Sequence, residues 1–377
     1  MRKKTLSALL CFSLFVGGPL GAEGPASSAS QKEAQQEIRD EQMRQIKSFY
    51  LSHAGQAKVP TAPLVVEFYN EAVEYFQKGE MELAEQALQE AIGLDPRSYF
   101  ALELMGDIRD QQHDVEAARQ FYQKAYLIQR SEPLREKIER LSREKGIEKE
   151  FRTVATEKFV LKYQEEGSAG DEKDFLADLE EVYDRIAREL GAKPAGPIVV
   201  LLYGEEEFRE IVQLPHWIAA VYDGKVRLPA YRNDRSREEL RAMTVHEMTH
   251  AFVAALSGGK APPWINEGLA QYFENQYRKI DTMVLDAAVR VRSLLSLDEV
   301  ISARDLSQKK DWLYAGLFYQ QTFHLTVFLV DRYGMFKITQ LLKTYAKDPG
   351  PEEAITEAFG TDIPGLEEQW KHILIVS

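Results

Sequence analysis

A histidine pair with a glutamate between its members is the part of this sequence best suited to chemistry. The pentapeptide His246-Glu247-Met248-Thr249-His250 places the second histidine four positions after the first. On a helix these histidines lie one turn apart on the same face, so both imidazoles can reach one metal ion. Glu247 points to the neighbouring sector, where it can take a proton from a water molecule on the metal without being a ligand. The spacing therefore predicts a catalytic zinc site.

The flanking residues predict a long helix that is buried on several sides. Ser236 and Glu239 form a capping box, residues 240–256 contain neither proline nor glycine, and Gly258 and Gly259 follow as a stop signal. Burying two histidines and a glutamate on such a helix without a partner would be costly, which favours a metal ion. The alternative is a pair of core histidines hydrogen-bonded to the backbone, with the glutamate at the surface.

A third ligand for the metal lies downstream, in a second predicted helix. Pro262 and Pro263 suit a loop leading into that helix, and Glu267 falls in its first turns. If the two helices run antiparallel, Glu267 can lie beside the histidines, and two histidines with one glutamate are an established catalytic zinc set. The alternative for Glu267 is a solvated residue favoured by the helix macrodipole.

The histidine motif followed by Asn-Glu-Gly-Leu-Ala at 266–270 resembles the gluzincins, which are thermolysin-like and aminopeptidase-like metallopeptidases. More narrowly, it resembles the peptidase MA-like domains of bacterial proteins that also carry tetratricopeptide repeats. The resemblance spans residues 151–377 and implies that His246, His250 and Glu267 bind zinc and that Glu247 is the general base.

The residue that would hold the first histidine departs from the family pattern. Gluzincins often place a carboxylate one turn after the ligand glutamate, whereas this chain has Gln271 there. The Gln271 amide oxygen can accept from an imidazole N–H but adds no charge, so it would raise ligand basicity less. Glu274, on the next turn, is the alternative.

The resemblance also implies a hydrogen-bond donor for the reaction's oxyanion, commonly a tyrosine or histidine. In the MA-like domains a helix begins with Tyr-Ala-Gln-Ser and ends with Arg-Tyr-Gly, and residues 319–322 and 332–334 match those ends. The match favours Tyr319 as the donor, with Tyr314 and His324 as alternatives. Each of these three could instead fill a helix interface.

Residues 218–228 predict two short strands around Asp223-Gly224, which is a hairpin signal. In gluzincins the strand before the motif helix is a sheet edge that binds extended substrate, and the resemblance implies the same role here. The alternative is an ordinary hairpin.

The N-terminal half contains a repeat with a period of 34 residues, in which small and apolar positions recur. Ala72, Ala84, Leu88 and Ala91 are echoed by Gly106, Ala118, Tyr122 and Ala125. The pattern resembles the tetratricopeptide repeat, and residues 133–145 predict a capping helix. The repeats, at 64–146, are expected to bind a peptide or protein partner, or to dock on the catalytic domain.

The remaining segments predict an α+β fold. A strand at 156–163, a helix at 171–190 and a strand at 198–203 form a βαβ unit in a small mixed sheet, followed by a mainly helical C-terminal part. The fold class is thus an all-α repeat array followed by a thermolysin-like domain at 151–377.

Composition and the N-terminus suggest an exported protein. With 377 residues, 44% hydrophobic and 28% charged, the chain suits two soluble domains plus a leader, and a net charge of −13 argues against nucleic-acid binding. Residues 1–22 predict a signal peptide and 23–63 a polar linker with a helical patch at 38–50. The protein is therefore expected to be periplasmic or secreted, without a stable membrane span. An uncleaved anchor is the alternative.

The only cysteine, Cys11, lies inside the predicted leader. The mature chain would then have no thiolate ligand, which leaves histidine and carboxylate ligation for zinc. Together these features predict an exported metallopeptidase with one zinc ion and a peptide or protein substrate. The alternative is a weak or inactive peptidase-like adaptor that binds partner proteins.

Overall fold

The computed structural model describes residues 63–77, 80–164, 172–212, 219–229, 236–303 and 312–376. The predicted signal peptide, the predicted linker as far as residue 62 and its helical patch at 38–50 lie outside these described residues. Within the described ranges, every helix is too short or too polar to cross a membrane.

From residue 63 onward, where the described residues begin, the N-terminal part is an array of five helices in which each helix packs on the next. Their bounds are α1, Pro63–Gln77; α2, Met81–Leu94; α3, Tyr99–Gln111; α4, Val115–Ile128; and α5, Glu132–Ile147. The small residues of the predicted repeat are buried between helices, and a Cβ added at Gly106 would come within 2.5 Å of the Tyr122 ring. Glycine there lets α3 and α4 approach closely, as the repeat pattern predicted.

A five-stranded mixed sheet follows. Its strands are β1, Arg152–Ala155; β2, Phe159–Tyr163; β3, Ile198–Tyr203; β4, Val221–Tyr222; and β5, Val226–Pro229. They lie in the order β1-β2-β3-β5-β4, with parallel pairing of β3 to β2 and β5 and antiparallel pairing at both outer pairs. The small mixed sheet and its βαβ unit are therefore confirmed.

One strand boundary was predicted wrongly. The strand expected at 156–163 begins only at Phe159, because Thr156 forms a turn whose hydroxyl accepts hydrogen bonds from the amides of Lys158 and Phe159. Residues 152–155 instead form a separate antiparallel strand. A threonine side chain can thus satisfy backbone donors locally and separate two strands within one alternating sequence pattern.

Ten helices among the described residues complete the C-terminal part. They are α6, Glu172–Leu190; α7, Glu205–Val212; α8, Arg237–Ser257; α9, Pro263–Glu274; α10, Met283–Val291; α11, Leu297–Ser302; α12, Trp312–Tyr333; α13, Met335–Tyr345; α14, Pro351–Phe359; and α15, Ile363–Val376. One face of the sheet contributes Leu161 and Val200 to the main core with α6 and α8. The other face packs through Tyr203 on α7 and on Ile147 at the end of α5. The protein is an α+β protein whose sheet lies between the repeat array and the C-terminal helices.

Candidate metal centre

The helix α8 that carries the histidine pair has the ends that its flanks predict. Ser236 and Glu239 form a capping box, with side chains and backbone amides bonded reciprocally, and Gly258 ends the helix in the left-handed conformation at φ +59°. Only residues 258–262 separate α8 from α9, so the two helices are forced to turn back and pack together. This connection brings Glu267 to the face that bears His246 and His250.

The three predicted ligands converge. One potential ligand atom from each of His246, His250 and Glu267 lies within 4.8 Å of the other two. The Nε2 atom of His246 is 3.6 Å from Glu267 Oε2, and that of His250 is 3.9 Å from Glu267 Oε1. Donor atoms about 2.1 Å from one tetrahedral ion are about 3.4 Å apart, so this set fits a single zinc ion after small side-chain adjustments.

Each histidine of the pair is oriented through its other ring nitrogen. His246 Nδ1 lies 2.8 Å from Glu274 Oε2, and His250 Nδ1 lies 2.9 Å from Asn266 Oδ1. A proton on each Nδ1 would be donated to these oxygens, which leaves both Nε2 lone pairs directed toward Glu267. Arg278 in turn donates to the Glu274 carboxylate and holds it in place.

Of the two candidates for holding the first histidine, Glu274 makes the contact and Gln271 does not. The Gln271 amide donates to the backbone carbonyls of Glu267, at 3.2 Å, and Tyr319, at 3.0 Å. Gln271 therefore ties α9 to α12 instead of supporting the imidazole. Because a carboxylate occupies the supporting position, the first histidine keeps a charged hydrogen-bond partner.

Sequence reasoning missed Asn266 as the partner of His250. The available signal was its position immediately before Glu267 on the first turn of α9, where a short polar side chain can face the preceding helix. Identifying Asn266 as this partner requires knowing how α9 is rotated about its own axis relative to α8. Neither the periodicity nor the spacing of the sequence specifies that rotation.

The packing of α9 on α12 positions Glu267 and depends on one glycine. A Cβ added at Gly268 would lie 2.7 Å from the Thr322 carbonyl oxygen and 2.2 Å from the Thr326 hydroxyl oxygen. Only glycine lets the two helix backbones approach this closely. The glycine of the Asn-Glu-Gly-Leu-Ala segment thus has a packing role that supports its neighbour Glu267.

The electrostatic surroundings of the cluster are anionic. Burial raises the pKa of Glu247, and the two neighbouring histidines only partly offset this effect. Burial also acts to raise the pKa of Glu267, but His250 and His246 outweigh it and lower that pKa overall. With Glu274 nearby, three carboxyl groups surround two imidazoles, which is a favourable environment for a divalent cation.

Tyr319 is the oxyanion candidate whose hydroxyl is affected by the charges of the two glutamates. The negative charge of Glu267 raises its pKa most strongly, followed by burial and the charge of Glu247. The residue is 37% exposed, so substrate could reach it from solvent. In contrast, His324 Nδ1 accepts a hydrogen bond from Trp370 Nε1 at 3.0 Å, and Tyr314 packs against the main core.

The hairpin before the motif helix places its first strand, β4, at an edge of the sheet, whereas β5, the strand directly before α8, lies between β3 and β4. The expectation that the strand directly before the helix forms the edge was therefore wrong by one strand. Among the residues that the structure describes, β4 pairs with β5 alone, and the Tyr222 ring centroid is 6.3 Å from that of His250. Gly224 forms the hairpin turn at φ +95°. Residue 218, the predicted start of this hairpin, lies outside the described residues. The backbone of an edge strand thus lies close to the histidine pair.

Comparison with known proteins agrees with this architecture of a repeat array and a peptidase-like domain. The model of the Peptidase MA superfamily matches residues 180–376, and that of the tetratricopeptide repeat matches residues 68–98. Because the first match covers more than half of the chain, the protein belongs to the Peptidase MA superfamily, and the predicted family is confirmed. No curated protein matches the chain. The domain supports a peptidase-like hydrolase, and the repeat supports a protein partner.

Proposed function

We propose that this protein is a zinc-dependent metallopeptidase in which His246, His250 and Glu267 hold one zinc ion. The convergence of these three side chains within 4.8 Å carries the proposal. Two imidazole nitrogens and one carboxylate favour zinc over magnesium or calcium, which prefer oxygen ligands alone. When bound, zinc would polarise the peptide carbonyl and lower the pKa of a coordinated water molecule to about 7.

Glu247 acts as the general base. It is buried beside both histidines, in the sector of α8 next to the ligands, so its carboxylate can accept a proton from the attacking water. The same carboxyl group then donates that proton to the leaving amine. Tyr319 donates a hydrogen bond to the oxyanion that forms on the peptide carbonyl.

The edge strand β4 holds the substrate. An extended peptide can pair with the backbone of β4 along its side that faces away from β5, which would bring the scissile bond near the histidine pair, because the Tyr222 ring lies beside His250. Backbone pairing fixes the direction of the peptide, and side-chain contacts would then select its sequence.

The test compares Glu247→Gln with wild type for zinc content and peptide cleavage. We expect wild type to bind one zinc ion and to cleave a peptide library until it is chelated, and the variant to keep zinc but lose turnover. Glu238→Gln, on the exposed first turn of α8, is the matched control and should cleave normally. Normal cleavage by Glu247→Gln would contradict the proposed mechanism.

A second candidate function is an adaptor that binds partner proteins without cleaving them. The tetratricopeptide repeat at 68–98 favours it, because such repeats are protein-binding units. Chelator-sensitive cleavage of any peptide would eliminate an adaptor-only role.

The third part of the proposal is export, with removal of residues 1–22. The charged residues Arg2, Lys3 and Lys4 and the largely apolar segment 6–16 support it. The mass of the protein recovered from the periplasm or the medium tests it, and recovery only from the cytoplasm at full length would contradict it.

A further inference from the structure

We propose that the repeat array positions the substrate-binding edge strand β4 through a buried ion network, with Lys225 and Arg227 as positioning residues. The proposal rests on the proposed peptidase function, because β4 is the strand on which that function seats a peptide. It assigns the array a role in the peptidase reaction in addition to any partner binding.

The network joins two helices of the array to the β4–β5 hairpin. Lys225 Nζ donates to Asp110 of α3 and lies 3.5 Å from Glu144 Oε2 of α5. Arg227 donates to Glu144 Oε1 at 2.9 Å. The side chains of Lys225 and Arg227 are each only 1% exposed, and that of Glu144 is fully buried. The Asp110 side chain is 12% exposed, so these interdomain ion pairs are largely shielded from solvent, and removing one member leaves an uncompensated buried charge.

The hairpin also contacts the array through its turn. A Cβ added at Gly224 would lie 3.4 Å from Gln111 Cγ at the end of α3. Arg227 closes the hairpin by donating to the Asp223 carboxylate at 3.0 Å, and it donates to the Tyr203 hydroxyl at 2.8 Å. The turn is thus held on two sides: Gly224 lies against Gln111 of the array, and Asp223 is held by Arg227 of the sheet.

The network is not a second metal centre, although His113, Glu144 and Glu148 have ligand atoms within 4.8 Å of one another. Glu144 already accepts hydrogen bonds from Arg140 and Arg227. A metal ion would have to displace these cationic side chains and would be repelled by them. The arrangement suits a fixed joint between domains.

The anchored hairpin leads directly to the candidate metal centre. In the β4–β5 pair, Tyr222 lies opposite Val226 and Val221 lies opposite Arg227. Lys225 and Arg227 therefore flank the residue that pairs with Tyr222, whose ring lies beside His250. Since β4 has two residues and one neighbouring strand, the anchor at its turn determines much of its position.

Loosening this anchor is expected to weaken substrate binding more than chemistry. The zinc ligands and Glu247 lie on α8 and α9, whereas the anchor acts on β4, which would bind the peptide equally in the ground and transition states. Removal of such uniform binding raises KM and leaves kcat unchanged.

The experiment uses the full-length, zinc-loaded protein and the variant Lys225→Met, with Lys137→Met as the matched control. Lys137 also pairs with two carboxylates, Glu103 at 3.1 Å and Asp107 at 2.7 Å, but it lies wholly within the array. Hydrogen exchange of segment 219–229 is measured by mass spectrometry, and KM and kcat are measured on a cleaved peptide.

We expect Lys225→Met to speed exchange in segment 219–229 and to raise KM about tenfold with kcat within about twofold, as loss of uniform binding predicts. Lys137→Met should change neither the exchange rate of segment 219–229 nor KM. Asp110→Asn removes the same ion pair from the array side and should reproduce both effects, which keeps the test informative if Lys225→Met does not fold. Exchange and KM that match the control in the variants that fold would overturn the inference.

The failure of this inference is distinguishable from that of the proposed function. Absence of chelator-sensitive cleavage by wild type would remove the peptidase proposal, and the exchange of segment 219–229 would then decide alone whether the array holds the strand. Cleavage by wild type with an unchanged KM in both variants would remove only the positioning role.

Discussion

The Nδ1 atom of His246 lies 2.8 Å from a carboxylate oxygen of Glu274, which is two helical turns beyond Glu267 on the same helix. Gluzincins often support this histidine with a carboxylate one turn after the ligand glutamate, where this chain has Gln271. Here Glu274 makes that contact instead. A supporting carboxylate is therefore present, although it comes from a different turn of α9.

Glu274→Gln is expected to weaken zinc affinity by about 10- to 100-fold, because loss of the supporting carboxylate leaves the His246 ring less basic and less firmly oriented. Competition with a chromophoric chelator measures the affinity. Gln271→Met is the matched comparison, since Gln271 contacts backbone carbonyls and not the imidazole. Equal zinc affinities for these two variants would show that Glu274 does not support the ligand.

Asn266→Ala is expected to lower zinc affinity by about tenfold, through loss of the acceptor that orients His250. Asn266→Asp keeps an oxygen acceptor at the same place and should keep wild-type affinity or exceed it. The same competition assay checks both variants. An alanine variant that binds zinc as wild type does would contradict the assigned role.

Tyr319→Phe is expected to lower kcat by about 10²- to 10³-fold with little change in KM, which is the typical effect of removing one oxyanion donor. Steady-state kinetics on a cleaved peptide measure both constants. Tyr314→Phe is the control, because Tyr314 packs against the main core. A larger loss from the control than from Tyr319→Phe would move the donor role to Tyr314.

Gly268→Ala is expected to destabilise the protein by about 1–3 kcal/mol, because the added methyl group overpacks the crossing of α9 and α12. Urea unfolding followed by circular dichroism measures the change. Gly146→Ala is the matched control, since a Cβ on that helical glycine meets nothing within 4 Å. The control should be neutral or stabilising by up to about 1 kcal/mol. Similar losses in the two variants would contradict the close approach at Gly268.

The interdomain network should make stability depend on pH in the acid range. Burial acts to raise the pKa of Glu144, but Arg227, Lys225 and Arg140 outweigh it and lower the pKa from 4.5 to about 2. A carboxyl group whose pKa is lower in the folded state than in the unfolded state stabilises the fold at pH values above its unfolded-state pKa. This stabilisation is lost as the pH falls from about 4.5 toward 2. Urea unfolding across that window should show a steeper loss for wild type than for Glu144→Gln, by up to about 1.4 kcal/mol per pH unit. If the unfolding free energies of wild type and Glu144→Gln fall in parallel with pH, Glu144 does not have the lowered pKa assigned to it.

Much of the fold follows from rules that act within one segment. The capping box at Ser236, the left-handed glycine at 258 and the spacing of His246 and His250 are local features, and each element they predict is present. The boundary at Thr156 was missed, since a side-chain hydrogen bond can end a strand without changing its apolar alternation.

Local patterns therefore suffice to identify the family, the repeat and the residues that could bind zinc, because helical spacing and capping chemistry operate over a few residues. They do not identify Asn266 or Glu274 as the histidine partners, or the pairing of Lys225 with Asp110, which lies 115 residues away in the chain. Those contacts depend on how the helices rotate and where the domains meet. Long-range packing sets these relationships, and the periodicity of a single segment carries no information about them.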